Sequence, residues 1–101
     1  MIVIRASMRI KAGQESAARA AFAEVMDGSR AEPGCVEYSF TQDIRDAALI
    51  HVVEIWNSEA ELMAHFQAPA FNTFMGCAGE LVDPVGVDAL AGDLQPYKMP
   101  M

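Results

Sequence analysis

Basic residues are scarce in this chain. Seven Lys and Arg stand against 14 Asp and Glu, for a formal charge of −7. A surface of that sign repels phosphate backbones and anionic headgroups, so no nucleic acid and no membrane is expected as a partner. Cysteine is nearly absent too. Cys35 and Cys77 form no C-x-x-C pair and have no histidine at ligand spacing. That argues against a disulfide framework and against a metal site, and for two buried, reduced thiols in a cytosolic protein. Long hydrophobic runs are also missing. The first residues alternate apolar with polar, so neither a signal peptide nor a membrane span is expected, and the localisation is read as cytoplasmic. Repeats, linkers and low-complexity segments are lacking, which leaves a single domain over residues 1–101.

Apolar residues, in contrast, make up 52% of the chain. A domain of this length has a thin core and cannot hide so much apolar surface alone, so pairing with a second copy is expected.

The pattern of those residues gives six elements. Ile2, Ile4, Ala6, Met8 and Ile10 alternate with Arg5, Ser7, Arg9 and Lys11, a half-buried first strand. From about Gln14 to Ala31 the spacing of Ala18, Phe22, Val25 and Met26 becomes helical. Glu32-Pro33-Gly34-Cys35 ends that helix, because proline cannot continue it and glycine permits the reversal. Val36, Tyr38 and Phe40 alternate in a second strand, and Asp43-Ile44-Arg45-Asp46 reads as a hairpin turn. The third strand, Ala48 to Trp56, is apolar on both faces. Ile50, Val52, Glu54 and Trp56 share one side; Leu49, His51, Val53 and Ile55 share the other. Such a strand sits centrally and needs cover twice.

Beyond Trp56, Ser58 and Glu61 have the spacing of a capping box for a helix running to about Gln67. Pro69 suits the first turn of a further helical segment, in which Phe71, Phe74, Met75 and Ala78 share a face and Gly79 marks the stop. Val85, Val87 and Ala89 suggest a last strand, and the tail from about residue 92 should be irregular. The order β-α-β-β-α-β, with the second helix broken near Pro69, predicts a ferredoxin-like α+β sandwich with an antiparallel sheet. Both helices then cover one sheet face, and the other needs a partner sheet, giving a barrel-like dimer.

The segment from Val53 to Phe66 concentrates the chemistry. It runs from an apolar strand into the only tryptophan, Trp56, then through a helix cap to His65, one of two histidines. Together with the Glu32-Pro33-Gly34-Cys35 turn and its alternating strand, the sequence Glu54-Ile55-Trp56-Asn57-Ser58 leading to Leu62 and His65 resembles the antibiotic biosynthesis monooxygenase family of dimeric α+β barrels. The resemblance spans roughly residues 2 to 90 in the order and spacing of elements. It implies a homodimeric enzyme oxidising a small aromatic substrate, a quinol, anthrone or polyphenol, with molecular oxygen and no bound cofactor. The fold also hosts isomerases and haem-degrading enzymes. This chain departs from the family in particulars. Val52 and Leu62 replace an asparagine and a tyrosine of anthrone-oxidising members, and Ala70 replaces a second histidine of many quinol-type members. Ser7, His65 and Phe74 replace the asparagine, tryptophan and iron-binding histidine of the haem-degrading branch, so haem is not expected.

Oxidation without metal or flavin needs a dry apolar slot, a base, and a polar group for the developing oxyanion. His65 is the candidate base, since imidazole titrates at about 6.5, and Trp56 its companion at the corner. Leu62, Phe71, Phe74 and Met75 are candidate walls. Asn57 and Tyr38 are candidate hydrogen-bond partners for a substrate oxygen. Glu54, a carboxylate on a central apolar strand, needs either an arginine such as Arg5 or Arg9 or a polar cavity. Each assignment has a structural alternative: Trp56 as a core plug, the helix aromatics as core, His65 as a helix-end residue. An isomerase or tautomerase on the same pocket and a non-catalytic dimeric ligand-binding domain stay open beside the oxygenase.

Overall fold

A computed structural model describes residues 1–100. Its order is β1 (Ile2–Ile10), α1 (Glu15–Arg30), β2 (Cys35–Asp43), β3 (Asp46–Trp56), α2 (Glu59–His65), α3 (Pro69–Leu81) and β4 (Val82–Ala91). The strands form one antiparallel sheet in the order β2-β3-β1-β4. This is the expected α+β sandwich, with the second helix divided in two.

Side-chain alternation sorts the sheet into two faces. Pairing of Ile2 with Trp56, Ile4 with Glu54, Ala6 with Val52 and Met8 with Ile50 puts these residues on the helix side. Tyr38 and Phe40, opposite Glu54 and Val52, join them. Helix α1 buries Ala18, Phe22, Val25 and Ser29, one stripe of its surface, against this face. Helix α3 adds Phe74 and Leu81. The two helices cross tightly where Gly28 meets Ala70: a Cβ on Gly28 would collide with the Ala70 methyl.

Several local expectations need correction. Gly79 does not stop the last helix, which runs to Leu81 and passes directly into β4. A helical glycine costs only about 1 kcal/mol relative to alanine, which packing of the helix on either side offsets. The capping box is half formed. The Ser58 hydroxyl accepts from the Glu61 amide at 3.3 Å, but the Glu61 carboxylate accepts from the Ser58 hydroxyl at 2.9 Å rather than from its backbone. The cysteines are free and half-buried rather than buried. Residues 92–100 are irregular, as expected, and Met101 lies outside the described residues.

The turn after α1 is fastened to the β3–α2 corner. The Asn57 amide donates to the Gly34 carbonyl at 2.9 Å. Gly34 has φ +80 and lies against the Glu61 carboxylate, which an added Cβ would push out of its place on the Ser58 hydroxyl. Gly13 has a similar φ of +84 but open space around it. Gly13→Ala should therefore lose only the left-handed backbone term, about 1–2 kcal/mol. Gly34→Ala should lose more, because the cap must also move. Urea unfolding of both variants checks this, and equal losses would contradict the fastening.

Candidate functional site

The β3–α2 corner closes over a buried polar string. His65, at the end of α2, is only 1% exposed. Its Nδ1 lies 2.8 Å from Glu32 Oε1, in the turn after α1, and its Nε2 lies 3.9 Å from Glu54 Oε1. The Trp56 indole N–H donates to the same Glu54 oxygen at 3.1 Å. Glu54 and Trp56 are two residues apart on a strand, so both project to the helix side and meet there. His65 reaches them because the seven-residue helix α2 folds back over the end of β3.

Rings fill the space around the imidazole. Its centroid lies 4.7 Å from that of Trp56, 4.9 Å from Phe71 and 5.2 Å from Tyr38. The slot expected between the helices and the Trp56 face is thus occupied by side chains. A small cavity of about 180 Å³, lined by Glu32, Pro33, Glu61, Ala64, His65 and Ala68, touches the string from the other side.

The candidate residues divide in two. Trp56, His65, Glu54, Tyr38 and Phe71 come together, and Leu62 and Phe74 are buried in the same core. Asn57 is exposed at the strand end, tied to Gly34 through its backbone. Met75 is 56% exposed and lies outside the ring cluster. Neither Arg5 nor Arg9 pairs with Glu54. Arg5 binds Asp88 and Arg9 binds Asp46, each at 2.7 Å. Parity explains the correction: odd-numbered residues of β1 stand on the face away from the helices, opposite to Glu54. His51 also stands on that face and pairs with Asp43 at 2.9 Å.

Glu32 is the functional candidate that inspection of the sequence passes over. It lies in a helix-ending turn, 33 residues from His65. Its one signal in the sequence is the Glu-Pro-Gly turn, which marks a helix end and carries no sign of a tertiary partner.

Burial pushes the Glu54 carboxyl above the usual carboxylate range; the indole hydrogen bond and His65 pull it back, and Glu32 pushes it further. Burial and the neighbouring Glu54 raise the Tyr38 phenol, so it stays protonated through the neutral range. His65 Nε2 and the Ser29 hydroxyl are buried with no hydrogen-bond partner. An unsatisfied buried polar atom is costly, so these positions call for explanation. Among the described residues no cluster of His, Cys, Asp and Glu has the makings of a metal site, and no helix is long and apolar enough to cross a membrane.

The raised Glu54 carboxyl has a consequence for stability. Between the ordinary carboxylate range and its raised value, the folded chain holds a proton that the unfolded chain has lost. Stability therefore falls as pH rises through that window. Glutamine mimics the protonated form, so Glu54→Gln should gain stability relative to the parent between pH 4 and pH 8. Urea unfolding across this range checks it; a difference independent of pH would contradict the shift.

Comparison with known proteins agrees with this architecture. The family model described as antibiotic biosynthesis monooxygenase matches residues 1–76. The Synechocystis protein sll1783, itself uncharacterized, is 31% identical over 81 residues, covering 80% of this chain and 55% of its own. This chain thus spans about half the length of that relative. Among solved structures, PA3566 from Pseudomonas aeruginosa superposes with a TM-score of 0.83 at 27% identity, covering 92% of this chain and 94% of its own. Rv0793 from Mycobacterium tuberculosis does so with a TM-score of 0.84 at 25% identity, covering 95% and 98%. With its sheet order, its helix arrangement and three quarters of its length matched, this chain belongs to the antibiotic biosynthesis monooxygenase family.

Proposed function

We propose that this chain is a cofactor-free monooxygenase that oxidises a small electron-rich aromatic, a quinol, anthrone or polyphenol, with molecular oxygen. The observation that carries this reading is the buried string Glu32–His65–Glu54–Trp56, an acid–base group walled by aromatic rings. Such a site matches what a substrate that brings its own electrons requires.

The chemistry balances without a cofactor. A quinol and O2 give a hydroxyquinone and water: one oxygen atom enters the ring, the other leaves as water, and all four electrons come from the substrate. The protein removes a hydroxyl proton, which makes the ring electron-rich enough to reduce oxygen. In this reading His65 and Glu54 form the proton-accepting pair, and Trp56 fixes Glu54. Tyr38 is the hydrogen-bond partner for a substrate oxygen, while Asn57, outside the cluster, ties the turn to the corner. Leu62, Phe71 and Phe74 back the acid–base group from the helix side. Met75, on the outside, supports the helix rather than the substrate.

The active species in this reading is a cytoplasmic homodimer. Val3, Leu49, Val53, Ile55 and Leu90 stand on the sheet face away from the helices, and no element of the described residues crosses it. A second copy packed face to face would bury them. Val53→Asp should then yield monomers by light scattering where the parent gives dimers.

Oxygen uptake over a panel of quinols and anthrones tests the activity. Uptake with an electron-rich member, reduced at least about tenfold in His65→Ala, is expected. No uptake across the panel would sink the oxygenase, and turnover under nitrogen would establish the isomerase in its place. Because His65→Ala strips Glu32 of its buried partner, its fold must be verified by circular dichroism first.

A further inference from the structure

The buried polar string has a closed middle and partly open carboxylates. The His65 side chain is 0% exposed, wrapped by Trp56, Tyr38 and Phe71, and its Nδ1 is committed to Glu32. Glu32, which lines the cavity at the turn, keeps 17% of its side-chain surface, and Glu54, on the sheet, keeps 14%. Sheet register shows why. In the row across the four strands, Tyr38 and Glu54 are neighbours, then Ile4, then Ala89. Tyr38 is buried, Glu54 and Ile4 are half-buried, and Ala89 is exposed. The next row repeats the gradient, from buried Val52 through half-buried Ala6 to Val87, which is 75% exposed. Glu54 therefore stands at the boundary where the helices stop covering the sheet and an apolar strip of β1 and β4 begins.

From this placement we propose that Glu54, and not the imidazole, is the catalytic residue that takes the substrate's hydroxyl proton. His65, held by Glu32, and Trp56 are its positioning residues. The proposal rests on the oxygenase reading and assigns the reacting end of its proton-accepting pair. The Glu54 carboxylate accepts the hydroxyl proton and leaves the ring as an oxyanion. That proton, together with the second one the substrate loses as the quinone forms, goes to the oxygen atom that departs as water, so Glu54 ends ionised. The groups facing Glu54 are Trp56 on its own strand, Tyr38 and the Cys35 thiol on β2, Glu32 in the turn, and His65 on α2; Ile4 and Ala89 contribute no charge. The indole hydrogen bond and the imidazole favour the ionised carboxylate, and Glu32 opposes it. Removing either favourable neighbour should move Glu54 ionisation to higher pH.

The test is the pH dependence of kcat/KM for oxygen uptake, from pH 6 to 9, in the 101-residue chain. Glu54→Gln should lose about 100-fold or more at every pH. His65→Gln should lose activity at neutral pH and regain it as pH rises, since its base remains but ionises later. Trp56→Phe should shift the profile in the same direction, and guards against one variant failing to fold. Glu54→Gln within about threefold of the parent, or a His65→Gln profile that stays flat and inactive while Glu54→Gln keeps its rate, would overturn the assignment. A titration of the Glu54 carboxyl by carbon-13 NMR without substrate separates this from failure of the oxygenase reading. Its midpoint should rise in His65→Gln and in Trp56→Phe even if no oxygen is consumed; an unmoved midpoint in both would overturn the positioning roles.

Discussion

A histidine side chain with no contact to water can find partners for its ring nitrogens only within the protein. Here Glu32 meets Nδ1 of His65 at 2.8 Å, and the rest of the corner is arranged around that contact. The turn carrying Glu32 has to come close to the end of β3, so Gly34 adopts φ +80 and receives the Asn57 amide. The α2 cap has to lie over the same turn, so the Glu61 carboxylate takes the space a side chain at position 34 would need. Removing one partner of such a buried pair typically costs 3–5 kcal/mol, far more than an exposed ion pair contributes. The ion pairs Arg5–Asp88 and Arg9–Asp46 are of that exposed kind and add little.

The same contact gives the site its chemical character. A fixed imidazole presents its second nitrogen to Glu54, while the Trp56 indole holds that carboxylate from the side. Two carboxylates on one imidazole in a dry setting form a proton-handling unit whose balance shifts with small changes in solvation. The aromatic rings pack around the imidazole and exclude water from it, while Glu54 stands at the edge of the open part of the sheet. The acidic surface, at −7 overall, accords with an uncharged substrate better than with an anionic one.

Much of the fold is legible in the sequence because strand alternation has only two outcomes. The parity of Ile50, Val52, Glu54 and Trp56 places all four on one face, and the sheet bears this out. The same parity, applied across to β1, rules out Arg5 and Arg9 as partners for Glu54, although neighbouring strands alone make them attractive. Trp56 and His65 are visible as a corner because one strand and one capped helix bring them together locally. Glu32 is not, because its contact with His65 depends on how the α1–β2 turn is drawn onto α2, a tertiary fact with no local periodicity. Helical spacing groups Met75 with Phe71 and Phe74, yet the face it defines is wider than the surface α3 buries, and Met75 falls outside.

The central claim is that Glu32 holds the Nδ1 proton of a buried His65. With only two histidines in the chain, nitrogen-15 NMR of the imidazoles, assigned with a His51→Gln variant, resolves this site directly. The account predicts a protonated Nδ1 on His65 at every pH where the protein is folded, exchanging slowly with water and losing that protection in Glu32→Ala. A bare, unprotonated Nδ1 in the parent protein would contradict it, since the proton of the contact would then belong to Glu32.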